Sequence, residues 1–213
     1  MADGESLKKG NTPWLAGLAA LDLLGLAAFL MPPSIMGQIS SIEAIKGALV
    51  SGLVVVVPLL TDTLSHKAKA RLVFWRWRDP LPGCRAFSTY LKEEDHIDEK
   101  ALAKNIGKFP SDSRAAGARW YELYNLVRNR GNVIETHKKY LRYRDMAAMS
   151  IALLFVVPVC LQLAVGSLWW QSLALFLAQT LWAVWLCRVA GARFVTTVLA
   201  VHSSEAIPGA RKK

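Results

Sequence analysis

The chain has little cysteine. Its three, Cys84, Cys160 and Cys187, form no CxxC and no pairing pattern. That argues against a disulfide framework and against a zinc site, and leaves free thiols in a reducing compartment. Catalytic signatures are missing too: there is no HExxH, no GxSxG, no P-loop and no Rossmann fingerprint. The chain therefore reads as no enzyme and as needing no cofactor. It has no internal repeat beyond two similar apolar hairpins, and no low-complexity segment. Pro32-Pro33, not an A-x-A site, follows the first apolar block. That block reads as a retained helix rather than a cleaved signal peptide. The most informative absence is of Lys and Arg from two short connections, residues 32–39 and 166–167.

What is present explains these gaps. The 213 residues are 53% hydrophobic and carry a formal charge of +10. A basic soluble domain has no need of so much apolar residue, whereas a membrane protein with basic cytoplasmic segments has use for both. The apolar residues fall into blocks that predict four transmembrane helices, at about residues 14–31, 41–60, 146–165 and 168–187. The fold class expected is all-α: an integral membrane protein with a helical cytosolic domain carried on extended stalk helices. Residues 1–60 form an N-terminal hairpin and residues 61–145 the basic domain. Residues 146–213 form a C-terminal hairpin plus a tail. The Lys/Arg distribution puts both termini and the middle on the cytoplasmic side of the membrane, which the resemblance given below makes a bacterial inner membrane. Trp169 and Trp170 then lie at the outer interface. Residues 194–201, apolar again, read as a separate interfacial or docking helix.

The pattern between the hairpins is helical. Ser40 and Glu43 make a capping box for the second span. Nothing breaks that helix before Asp79-Pro80-Leu81-Pro82-Gly83, so one helix is expected from about residue 41 to 77. Short helices follow at 85–92 and 98–106. Ser111 or Ser113 caps a helix to about Asn129. Its buried face is Trp120, Leu123, Tyr124 and Val127 at i, i+3, i+4 and i+7, and Gly131 ends it. From Val133 the chain is expected to run unbroken into the third span.

Two features carry candidate chemistry. Asp22 sits near the middle of the first span, where a carboxylate costs about 3 kcal/mol on insertion scales. It either lines a pore in an oligomer or is a protonated group bonded to Ser51, Gln162 or Gln179. The second feature is charge: residues 61–145 hold eighteen Lys or Arg against eleven Asp or Glu. Juxtamembrane orientation and anionic lipid account for residues 67–77. Farther from the headgroups, Arg114, Arg119, Arg128, Arg130, His137, Lys138, Lys139, Arg142 and Arg144, with Trp120 and Tyr124, form a candidate surface for an anionic ligand. His66 and Asp62 read as an interfacial polar pair, and the acidic run 93–99 as a solvated face, with no metal site.

The four-span layout and basic middle have a local texture in Trp120-Tyr121-Glu122-Leu123-Tyr124 and His137-Lys138-Lys139-Tyr140-Leu141-Arg142-Tyr143-Arg144-Asp145. The arrangement resembles small membrane effectors of bacterial anti-phage defence, the Hailong type above all. The resemblance implies a homo-oligomeric channel in the lipid bilayer, tetramer-like, with a partner nucleotidyltransferase and gating by an oligonucleotide or cyclic nucleotide. The function expected is thus a ligand-gated membrane pore in antiviral defence. The alternative is a non-conducting anchor or scaffold that recruits a cytosolic partner.

Overall fold

The computed structural model describes residues 12–30, 52, 56, 63–164 and 169–211. The connections at 32–39 and 166–167, the capping box, Asp62 and most of the second expected span lie outside them. Among the described residues every regular element is helical. These are α1 (Thr12–Leu30), α2 (His66–Phe74), α3 (Leu91–Glu93), α4 (Glu99–Ile106), α5 (Ser113–Val127), α6 (Gly131–Ala164) and α7 (Trp169–Ser204), with a 3-10 turn and a π-helical turn across residues 82–90. Two of them, α6 and α7, are long and apolar enough to cross a membrane. Thirty-four and thirty-six residues extend about 50 Å each, well beyond a hydrocarbon core of about 30 Å.

The chain divides into two compact units. Residues 1–69 and 142–185 form the first, and residues 70–141 and 186–213 the second. In the first, Met149, Leu153, Val157 and Leu161 recur on one face of α6 and pack with Phe176 of α7. Leu15, Leu18, Ala19 and Leu23 of α1 cover that cluster. Pro158 is buried inside α6 without ending it. Such a proline is tolerated in membrane helices because neighbouring groups take up the freed carbonyl.

The second unit is built around α5. Asp112 caps it, its carboxylate accepting from the Ala115 amide at 2.9 Å. Trp120, Leu123 and Val127 are buried as their spacing predicts, and Tyr124 partly so. Phe194 of α7 stands among their rings: edge-on to Trp120 at 5.1 Å and to Tyr124 at 5.4 Å, and stacked on His137 at 4.6 Å. Asp98 caps α4 through the amides of Lys100 and Ala101.

Four expectations change. The cap of α5 is Asp112, not Ser111 or Ser113. The expected long helix over residues 41–77 is interrupted at residues 63–65, and a new helix, α2, begins at His66. The Ser65 hydroxyl accepts from the Ala68 amide at 3.2 Å and caps it, so a local serine restarts the helix. α2 ends at Phe74, where Trp75 takes φ 52°. Gly131 does not close α5; α5 stops at Val127, and Gly131 is the first residue of α6. Residues 194–201 are not a separate helix but the continuation of α7, whose Phe194, Val195, Val198 and Leu199 are core. The expected run of helix from Val133 into the third apolar block is present as α6.

Candidate functional site

The first unit buries polar groups inside apolar surroundings. Asp22 of α1 is only 3% exposed. The Gln179 side-chain amide donates both to Asp22 Oδ2 at 3.3 Å and to Ser150 Oγ at 3.2 Å. Three helices, α1, α6 and α7, thus meet at one polar junction. Of the two sequence readings of Asp22, the hydrogen bond to Gln179 is the contact seen within one chain. On α7, the Gln171 side-chain oxygen and the Thr180 hydroxyl are buried and meet no hydrogen-bond partner among the described residues. Hydrocarbon offers such groups nothing, so each costs free energy unless another chain or water supplies a partner.

A charged cluster lies in the same unit. Lys69 is 2% exposed and Asp145 6%. Lys69 Nζ donates to Asp145 Oδ1 at 3.0 Å. Arg144 Nη2 and Nε donate to that same oxygen at 2.9 and 3.2 Å. Arg144 Nη1 lies 2.7 Å from His66 Nδ1. Since an arginine only donates, that ring nitrogen is the acceptor and the imidazole is neutral here. A proton on it would place like charges in contact. Asp145 lies five residues before Ser150 on α6, about 7.5 Å along the axis. Sequence reasoning had paired His66 with Asp62 and missed this cluster. The only local signal was Arg144-Asp145 at the head of an apolar block.

The expected anionic-ligand surface is spread over both units. Trp120, Tyr124 and His137 are built into the aromatic core around Phe194, and the Tyr124 hydroxyl meets His137 Nδ1 at 3.0 Å. Arg119 is buried: Nη2 donates to the carbonyls of Ile106, at 2.8 Å, and Ala210, and Nη1 to Glu122 at 3.0 Å. Arg130 pairs with Glu205, and Lys139 with Glu135 one turn away. Arg144 is in the buried cluster, and Arg142 lies over the Trp14 ring at 4.3 Å. Arg114, Arg128 and Lys138 are exposed. Arg114 is in the first turn of α5 and Arg128 just past its last, so about 20 Å of helix separates them. Of the eleven residues, Arg142 and Arg144 belong to the first unit and the other nine to the second. Among the described residues, no group of three or more His, Cys, Asp or Glu is placed to hold a metal ion.

No family model, curated protein or solved structure matches this chain.

Proposed function

We propose that this chain is an integral membrane protein that conducts ions as a homo-oligomer, under control from its helical second unit. The supporting observation is Asp22 buried beside Gln179 and Ser150, in a unit whose outer surface is apolar. An ionisable residue at membrane depth is a functional-site candidate by default, and an ion path is one of its recurrent roles. The Thr180 and Gln171 oxygens, which meet no partner among the described residues, would extend this polar lining along α7. The buried Asp145 cluster continues it along α6. The bacterial inner membrane is proposed on the resemblance to anti-phage effectors, and the cytoplasmic termini on the Lys/Arg distribution. The four-span topology and the tetramer belong to this proposal.

The control ligand proposed, on the resemblance to anti-phage effectors, is a nucleotide-like anion supplied by a partner nucleotidyltransferase. In a single chain it would meet Arg114, Arg128 and Lys138, so a complete site requires several copies side by side. The other reading, a non-conducting anchor, is favoured by one contact: Gln179 already satisfies Asp22. Ion flux from liposomes holding the purified chain separates the two. Asp22→Asn should cut flux by about tenfold or abolish cation preference if the carboxylate lies in the path. Equal flux and selectivity for wild type and variant removes Asp22 from the path, and no flux from either supports the anchor.

A further inference from the structure

The segment just after α2 has features that the ion path does not use. Large exposed apolar side chains are few in the second unit, and four of them fall together: Leu72, Trp75, Trp77 and Leu81. Trp75 is 65% and Trp77 83% exposed. Arg76 and Arg78 alternate with them and are exposed too. A soluble surface has no reason to display two indole rings in three residues. At a membrane interface, by contrast, Trp and Arg are the preferred pair.

Arg188 fixes the level of this loop. It is the first charge after the uncharged stretch 169–187 of α7, where a membrane helix leaves hydrocarbon. Its Nε donates to the Val73 carbonyl at 3.1 Å, and its guanidinium lies over the Trp75 ring at 4.5 Å. Behind the loop, Arg85 lies 5.1 Å from the ring centres of both Phe74 and Tyr90. Its Nε and Nη2 are buried and meet no hydrogen-bond partner among the described residues, although the residue as a whole is partly exposed. Burial lowers its pKa, and the neighbouring charges of Arg76 and Arg188 lower it further, against a raising effect from Tyr90. Arg76 and Arg188 are thus near enough to act on Arg85, and its buried Nε and Nη2 meet no carboxylate among the described residues.

We propose that Arg85, with Arg76 and Arg188, seats the phosphate of an anionic phospholipid headgroup, while Trp75 and Trp77 enter the interface beside it. A phosphate oxygen would supply the acceptor that the buried N–H groups lack, in the geometry a guanidinium fork favours. Lipid is the source favoured because of the two exposed indoles; a soluble phosphate gains nothing from them. This inference rests on membrane location but not on ion conduction.

The test uses the full chain in detergent and counts retained lipid by native mass spectrometry. The probes are phosphatidylglycerol, phosphatidylcholine and inorganic phosphate. Phosphatidylglycerol should be preferred, and Arg85→Gln should weaken its binding about tenfold, the size of one lost charge-assisted bond. Arg85→Lys should recover only part, and Lys104→Gln, at an exposed position with no part in either site, should change nothing. Arg76→Glu, at an exposed position, gives the same reading should Arg85→Gln not fold: it should lower the preference several-fold. Wild-type preference in either folded variant overturns the proposal. Displacement of the retained lipid by inorganic phosphate, or equal binding of the two lipids, overturns the lipid assignment. The flux assay above reads conduction separately, and extraction by carbonate without detergent would sink the membrane location itself.

Discussion

The two units invert each other. In the first, large apolar side chains face outward: Leu21, Leu24, Phe155, Val159, Leu163, Leu177, Leu181, Trp182 and Trp185 are exposed. Its interior holds Asp22, Lys69, Arg144, Asp145, Ser150 and Thr180. In the second, Leu102, Ile106, Leu123, Val133, Val198 and Leu199 are inside, and most charge is outside. A lone chain in water would gain by hiding the first unit's leucines and tryptophans. Lipid removes that incentive, because hydrocarbon tails are as apolar as leucine. Two solvents acting on one polypeptide is what the proposed membrane location would produce. Buried charge shows the same division. The first unit neutralises cations with a carboxylate, and the second satisfies Arg119 mostly with backbone carbonyls.

The carboxylate is the sharper place to break that contrast. Asp145→Ala leaves Lys69 and Arg144 buried around an empty position, which should cost about 3–5 kcal/mol. Lys69→Met removes one cation and leaves Arg144 with Asp145, so its cost should be well under half of that. Thermal unfolding in detergent checks the ratio. Equal losses for the two variants would mean that Asp145 is not shared between them.

Arg119 is the corresponding test in the second unit. Arg119→Ala strands the carbonyls of Ile106 and Ala210 and should cost about 2–3 kcal/mol. It should also free the segment around Ala210, seen as faster proteolysis after α7. Lysine lacks the fork that reaches Glu122 and both carbonyls together, so Arg119→Lys should rescue little. Full rescue would assign the effect to charge rather than geometry.

These two residues also show where sequence reading ran out. Helix content, the two apolar helices α6 and α7, and the face made by Trp120, Leu123 and Val127 were legible because each is set by neighbours within a turn or two. Arg119 and Arg144 looked like surface cations because their partners are remote: Ala210 is 91 residues away from Arg119, and His66 is 78 from Arg144. No local period encodes such pairs. The break at residues 63–65 was missed because no Gly or Pro marks it; the signal was a serine cap. Phe194 read as interfacial because the apolar stretch follows Arg188, yet that arginine is accommodated by the Val73 carbonyl and the Trp75 ring while the helix continues.

Packing in the second unit is tight enough to resist a single methyl group. A Cβ at Gly117 would lie 2.6 Å from Cys84 Sγ, and one at Gly83 2.5 Å from the Trp120 ring. Gly117→Ala should cost about 1–3 kcal/mol by overpacking, and Cys84→Ala in the same chain should return most of it. Burial raises the Cys84 thiol pKa, with Asp79 adding to the effect. Alkylation at neutral pH should therefore be slow until the unit unfolds. If Cys84→Ala gives no rescue, the clash lies with the backbone rather than the sulfur.

The smallest effect belongs to the Arg130–Glu205 pair, which is bidentate at 3.0 and 2.6 Å but exposed on both sides. Its hydrogen bond to Arg130 holds the Glu205 carboxyl below its usual range. A depressed carboxylate stabilises the fold above its unfolded pKa, near 4.3 for glutamate, and that stabilisation is lost as pH falls through the lower folded value. Solvent and salt screen a pair this exposed. Glu205→Gln should therefore leave the melting temperature at pH 7 within error, and any difference from wild type should shrink as pH falls through the lowered folded pKa of Glu205. A large loss at pH 7 would show that this contact is covered, as it would be if neighbouring copies of the second unit pack over the end of α7.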